Sequence, residues 1–187
     1  MDVHDAIINR RSIRNFSDEP VTDEQVRELI EAACWAPSWA NVQAWKFIVL
    51  RDREQINAVT ECYSPNNPAR NCSFSASAVI VACGEINRSG HGKDGSPKTR
   101  YDSWYMFDLG MAVQNLCLRA HELGLGTVVV GSMDHDRIDD LLDLPENIVS
   151  VVAVPVGKPA TVPKKAPERV KPESCTYRDR WEAQYWS

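Results

Sequence analysis

Most of the signatures that would settle a function at once are missing from this sequence. No apolar run approaches the roughly 18 residues a membrane span requires. The N-terminus, MDVHDAIINRRS, lacks the charged-then-apolar pattern of a secretory leader. A net charge of −5 and a pI near 5.4 argue against a nucleic-acid or anionic-membrane partner. None of the six cysteines stands in a C-x-x-C pair or at zinc-finger spacing, and the four histidines are scattered, so no metal site is expected. No G-x-G-x-x-G follows a strand and opens a helix, and G-x-x-x-x-G-K-[ST] does not occur. H-E-x-x-H, a Ser-His-Asp spacing and a paired-carboxylate cleft are also lacking. The expectation is a soluble, cytoplasmic protein with reduced thiols and no nucleophile–base pair. Cys34, Cys62, Cys83 and Cys117 lie in apolar runs, where a thiol behaves as a small core residue. A disulfide between Cys62 and Cys72, which flank YSPNNPARN, is the minor alternative.

What is present begins with size. A chain of 187 residues suits one domain, or one with an arm, and can bury about 70% of its unfolded surface without staples. A short helix is expected over 2–9 and another over 23–35. Thr22 and Gln25 have capping-box spacing, and Val26, Leu29, Ile30 and Ala33 form one apolar stripe. Pro37 ends that helix. KFIVLR (46–51) reads as a strand, Asp52 and Gln55 open a further helix, and ASAVIVACG (76–84) reads as a buried strand. A polar loop over 86–100 precedes a long helix over 102–123, whose dense apolar positions predict burial on several sides, with Gly124 as its C-terminal cap. GTVVVG (126–131) is a predicted strand, 134–142 a short helix and 148–157 a strand, with Pro155 requiring an edge or a bulge. Alternation of helix and strand predicts three layers.

From residue 155 the texture changes. Pro155, Pro159, Pro163, Pro167 and Pro172 exclude a helix. Extended geometry at about 3.1 Å per residue gives this segment a reach on the order of 55 Å. It ends in YRDRWEAQYWS, with four large aromatics. A free tail of that kind is a liability, so it is expected to cross a second subunit; wrapping its own core is the alternative.

Three constellations carry possible chemistry. Arg10, Arg11 and Arg14, with Ser12 between them, form a positive island in an acidic chain, either a phosphate clamp or a solvated basic turn. Lys164 and Lys165 on the proline-rich arm either close over the same phosphate or only solubilise. CWAPSWANVQAWKF (34–47) puts three tryptophans and two carboxamides into one connection. Asn41 and Gln43 can each donate and accept, as needed to read the edge of a heterocycle or a hydroxylated chain. Trp39 and Trp45 could flank a flat ring, though a core position is preferred for Trp35 and Trp45. A phosphate clamp and a ring-reading loop without a catalytic side chain point to a cofactor that does its own chemistry.

With these residues in view the chain resembles the nitroreductase family of FMN-dependent oxidoreductases. RRSIR is similar to the family's phosphate motif, and APSWANVQAWKF to the pattern A-P-S-x-x-N-x-Q-P-W-x-F. DLGMAVQNLCLRAHELGLGTVVVGSMD resembles its central helix, turn and strand, and VPVGKPATVPKK its closing strand and basic arm. The resemblance covers nearly the whole chain. It implies an α+β fold, a three-layer α/β/α sandwich with a mixed, mainly antiparallel sheet. A core over 1–157 would carry an arm over 158–187, exchanged in a homodimer.

It further implies FMN bound at the subunit interface. Arg10, Arg11, Ser12 and Arg14 would hold the phosphate and ribityl chain, with Lys164 or Lys165. Pro37, Ser38, Trp39, Asn41 and Gln43 would come from the partner subunit. Val129, Val130 and Gly131 would lie along the flavin, with a backbone N–H directed at N5. No side chain need be catalytic. NAD(P)H would give hydride to N5, and a small electron-poor acceptor, such as a nitroaromatic or quinone, would then take it. Tyr101, Trp104 and Tyr105 would select the acceptor.

Two departures stand out. Gln43-Ala44-Trp45 replaces Q-P-W, and Trp39 is bulky where many members are small, which questions broad acceptor range. The alternatives are a specialised flavin reaction on the same fold (reductive dehalogenation, flavin fragmentation or dehydrogenation) and a non-enzymatic flavin-binding redox protein.

Overall fold

The computed structural model describes residues 1–163 and 165–186, which leaves Lys164 outside the described residues. The helix signals become helices with little shift. Asp2 caps α1 (Val3–Asn9), its side chain accepting from the Asp5 N–H at 2.8 Å. The expected capping box opens α2 (Asp23–Cys34): the Gln25 N–H donates to Thr22 Oγ1 at 3.1 Å and the Thr22 N–H to Gln25 Oε1 at 3.0 Å. Asp52 caps α3 (Arg53–Glu61), which is followed by the single turn α4 (Arg70–Ser73). The long α5 (Tyr105–Glu122) stops at Gly124, whose φ of +70° lets the Leu125 N–H turn back to the Ala120 carbonyl. Asp134 caps α6 (His135–Leu141). No helix among the described residues is long and apolar enough to cross a membrane.

Four strands, β1 (Trp45–Leu50), β2 (Ala78–Glu85), β3 (Gly126–Thr127) and β4 (Ile148–Gly157), form a sheet in the order β1-β2-β4-β3 with every neighbour antiparallel. A parallel bridge between Ser12 and Thr127 adds the N-terminal segment beyond β3. β2 reads as an unbroken apolar run because both its faces are covered. Ala78, Ile80 and Ala82, with Val154 and Val156, pack against Leu29 of α2 and Leu116 of α5. Val79, Val81 and Cys83, with Ala153, pack against Ile56 and Val59 of α3 and Ile138 of α6. These are the three expected layers.

Several expectations need correction. Pro155 lies on an inner strand, paired with Val79 of β2, and not at an edge. Its missing N–H faces the other neighbour: the Val128 N–H reaches the Pro155 carbonyl at 3.4 Å, and no reciprocal bond is available. The ladder therefore lapses after Thr127 and resumes in unchanged register where Val130 and Ala153 exchange bonds of 2.9 Å. The predicted strand over 126–131 is regular only in β3 for this reason.

Helix α5 is not buried on several sides within this chain. Leu109, Ala112, Val113, Leu116, Cys117 and Ala120 face inward, while Met106 and Phe107 are exposed, because one face alone meets the sheet and α2. Trp45 is buried as preferred, but Trp35 is 87% exposed. The stripe of α2 passes from Ala33 to Ala36 and leaves Trp35 off it. All six cysteines are free, which removes the Cys62–Cys72 alternative; Cys34 is exposed and Cys72 buried, the reverse of their sequence contexts.

Candidate functional site

The basic segment is laid along the short edge strand. The Ile13 N–H donates to the Thr127 carbonyl at 2.9 Å, the Ser17 N–H to the Lys158 carbonyl at 2.9 Å, and the Ala160 N–H to the Asn15 carbonyl at 2.9 Å. So close an approach needs glycine beneath it. A Cβ at Gly126 would stand 2.7 Å from Ile13 Cβ, and one at Gly157 would stand 2.8 Å from the Phe16 ring.

Arg10 is half-buried, and its Nε is shut from solvent without a hydrogen-bond partner. Arg11 donates to the carbonyls of Ile8 at 2.7 Å and Arg10 at 3.0 Å. It also lines a cavity of about 160 Å³ together with His121, Gly124, Pro159 and Val162. Ser12 is half-buried and Arg14 exposed. Among the described residues no carboxylate pairs with Arg10, Arg11 or Arg14. Burial, and then the charges of Arg10 and Arg11, push the His121 pKa down. The segment is thus a cationic surface lacking its counter-charge.

Two residues beyond Thr127 the same strand turns a surface outward. Val128 and Val130 are buried, Val129 is 46% exposed, and Gly131 is exposed. Ser12 lies beside Thr127, two positions before Val129, while Arg11 and Phe16 lie toward the other end of that strand, near Gly124 and Pro159. Lys165 is exposed, and Lys164 lies outside the described residues.

The loop over 37–43 sits elsewhere. Ala40, Asn41 and Gln43 have φ of 43°, 57° and 50°, a left-handed region that non-glycine residues seldom enter. The Gln43 N–H donates to Ser38 Oγ at 3.0 Å, and Gln43 Nε2 donates to Asn41 Oδ1 at 3.0 Å. The Trp39 N–H donates to Asp108 Oδ1 at 3.0 Å. Pro37 borders a cavity of about 560 Å³ with Met106, Phe107, Gly110 and Met111. Asp108 and His121 stand near opposite ends of α5, about 20 Å apart at 1.5 Å per residue. Among the described residues no hydrogen bond joins loop 37–43 to the segment 10–14 or to 129–131.

Of the three residues expected to select a substrate, Trp104 meets the loop and Tyr101 packs on Trp104. The Trp104 indole lies 5.2 Å from that of Trp39, with Tyr101 at 6.1 Å and Phe107 at 5.5 Å edge-on to Trp104. Tyr105 turns away, covering Gly84 and lining a separate cavity with Gly131 and His135. Phe107, Ser89 and Asp108 were missed in sequence. The signal for Asp108 is a charge inside the apolar run MFDLGMA, on the side of the helix that packs inward.

An antiparallel sheet between two helical layers, with a basic segment along its short edge strand and an extended arm, is the architecture of the nitroreductase fold. The Nitroreductase family model matches residues 7–78 and 66–158, and the chain belongs to that family. A protein of Archaeoglobus fulgidus, provisionally named NADH dehydrogenase/NAD(P)H nitroreductase, is 35% identical over 94% of this chain and 96% of its own. An FMN reductase (NADPH) of Bacillus subtilis is 26% identical over 94% of this chain and 72% of its own. The solved structure of B. megaterium NfrA2 aligns with a TM-score of 0.81 and 27% identity, covering 97% of this chain and 76% of that one.

Proposed function

We propose that this chain is a cytoplasmic, homodimeric oxidoreductase that binds FMN and uses NAD(P)H to reduce nitroaromatics, quinones or similar electron-poor small molecules. Family membership and the names of its relatives support the reaction class. The residues present fit the cofactor: the orphaned Arg10 Nε and the unpaired cations around Ser12 suit an anionic end group. The observation that carries the reading is the pairing of Ser12 with Thr127, which ties the cationic segment to the stretch of chain that continues into Val129 and Gly131.

In this reading Arg10, Arg11, Ser12 and Arg14 hold the phosphate and ribityl chain, joined by Lys164 or Lys165 from the arm. Each charge-assisted hydrogen bond to the phosphate contributes about 1.5–3 kcal/mol. Val129, Val130 and Gly131 support the ring, and the backbone N–H it meets is that of Val129 or Gly131, since the Val130 N–H is taken by the Ala153 carbonyl. FMN held by these residues would supply the hydride chemistry between NAD(P)H and the acceptor. Pro37, Ser38, Trp39, Asn41 and Gln43 of the partner subunit close the site, and the aromatic group around Trp104 receives the acceptor.

The dimer draws support from surface that a lone chain leaves bare: Trp35, Met106 and Phe107, and Val170, Trp181 (74% exposed) and Trp186 on the arm. The Trp39–Trp104 contact favours one second reading, a narrower flavin reaction on a restricted substrate set.

Replacing both Arg10 and Arg14 by alanine tests the proposal. Purified wild-type protein is expected to be yellow with about one FMN per chain, and the double variant colourless. Equal flavin content in the two would remove these residues from the clamp. Steady-state NADH and NADPH oxidation against a panel of acceptors then separates a broad reductase from a restricted one.

A further inference from the structure

Resting on that reading, we propose that Asp108 is a positioning residue. Its buried carboxylate joins the loop that faces the cofactor to the aromatic segment that receives the acceptor, so the two move as one unit.

The carboxylate is 2% exposed and sits in the first turn of α5. Its two oxygens serve different elements. Oδ1 accepts from the Trp39 backbone N–H at 3.0 Å, and Oδ2 accepts from Ser89 Oγ at 2.6 Å. Ser89 in turn takes the Trp104 N–H on its carbonyl at 3.1 Å, and Trp104 Nε1 donates to Thr99 Oγ1 at 2.8 Å. A chain of hydrogen bonds thus runs from loop 37–43 through Asp108 and Ser89 to Trp104. The Trp39–Trp104 ring contact at 5.2 Å closes it into a circuit.

The loop needs such an anchor. Three of its residues, Ala40, Asn41 and Gln43, hold left-handed backbone without being glycine. Backbone of this kind persists only where surrounding contacts over-determine it. The other side-chain bonds holding the loop, Ser38 with Gln43 and Gln43 with Asn41, lie within it and cannot fix it to the body of the protein. Asp108 does so from a helix whose inward face is packed into the core. A carboxylate accepts only, so it suits the two donors it meets. A buried carboxylate is retained where its partners are specific, because removing it strands both donors.

Three substitutions separate the arms. Asp108→Ala cuts both, Ser89→Ala removes the Oγ bond to Asp108 Oδ2 while keeping the Ser89 carbonyl that holds Trp104, and Trp39→Phe removes one indole of the stacked pair. Near-ultraviolet and 230 nm circular dichroism on flavin-free protein read the indole pair without any cofactor. Asp108→Ala is expected to lose the coupled-tryptophan signal to the level of Trp39→Phe. FMN titration by fluorescence quenching is expected to give a Kd raised at least tenfold in Asp108→Ala and within twofold of wild type in Ser89→Ala. Ser89→Ala is expected to raise KM for a nitroaromatic acceptor at least fivefold. Reduction of ferricyanide, which needs no ring-binding surface, stays unchanged in that variant.

An Asp108→Ala protein that melts cooperatively and keeps the wild-type indole signal overturns the proposal. If Asp108→Ala does not fold, Ser89→Ala decides: an unchanged indole signal or an unchanged acceptor KM overturns it. Wild-type protein that takes up no FMN refutes the functional reading instead, and the flavin-free indole comparison still decides the role of Asp108.

Discussion

His121 shows how one side chain registers the character of the site. It stands at the last turn of α5, beside a small cavity that it shares with Arg11. Burial and the two neighbouring guanidinium groups hold its proton affinity below the ordinary histidine value. The unfolded chain therefore binds a proton more readily than the folded one. Stability is full above the ordinary histidine pKa of about 6.5 and declines as pH falls through it toward the lower folded value. Flavin-free wild type should lose more thermal stability between pH 7.5 and 5.5 than His121→Gln, measured by calorimetry. A phosphate dianion beside Arg10 and Arg11 offsets their repulsion, so saturating FMN should flatten the difference. A wild-type protein whose melting temperature follows that of His121→Gln across this range would contradict the account. The basic character of residues 10–14 was legible from three nearby arginines, Arg10, Arg11 and Arg14. The role of His121 was not, since it approaches them only through the turn of α5 and the crossing of the N-terminal segment.

Elements differ in how much of their geometry is local. The start of α2 is written entirely in Thr22 and Gln25, and the structure reproduces both bonds. Thr22→Ala should cost about 1 kcal/mol in a denaturant titration while leaving flavin content unchanged. A change in flavin content would tie this cap to the site, against its position. The edge strand is the opposite case. Val128 fails to pair fully because the residue facing it across the sheet is Pro155, and nothing within 126–131 foretells that. The N-terminal segment likewise depends on Gly126 and Gly157, whose bare backbones let Ile13 and Phe16 approach. Gly126→Val should push Ile13 and the adjoining clamp outward. The expected result is FMN affinity lowered at least tenfold in a protein that still folds, read by fluorescence titration. Wild-type affinity would show that the clamp tolerates displacement.

At the scale of the molecule the chain leaves apolar surface unused. Trp35, Met106, Phe107, Val170 and Trp181 are all exposed. The tail is not structureless: Tyr177 and Trp181 lie 4.5 Å apart, Arg178 sits 5.0 Å over the Tyr185 ring, and the Arg178 N–H donates to the Ala183 carbonyl at 2.7 Å. A preformed aromatic turn at the end of an extended arm is suited to docking on a second copy. Truncation after Thr161 keeps the bridge of Phe16 with Pro159 and the bond of Ala160 to Asn15, so the core should survive. Light scattering should then report a monomer or aggregate where the full chain gives a dimer. A truncated chain that remains a stable dimer would assign the interface to α5 alone.

The Thr22 and Asp52 caps, the Gly124 stop and the cationic segment followed from spacing along the chain, because each depends on residues within a turn or two of one another. The three layers followed from the alternation of helix and strand, and the single turn α4 carried no such signal. The tertiary structure alone decided which way side chains meet across the fold. Trp39 and Asp108 are separated by 69 positions and share a hydrogen bond. Trp104 and Tyr105 are adjacent, yet one stacks on Trp39 and the other covers Gly84 and lines a cavity with Gly131, and Trp35, one position before the buried Ala36, misses the core. Such contacts depend on where whole elements cross, and no periodicity in a single chain encodes a crossing.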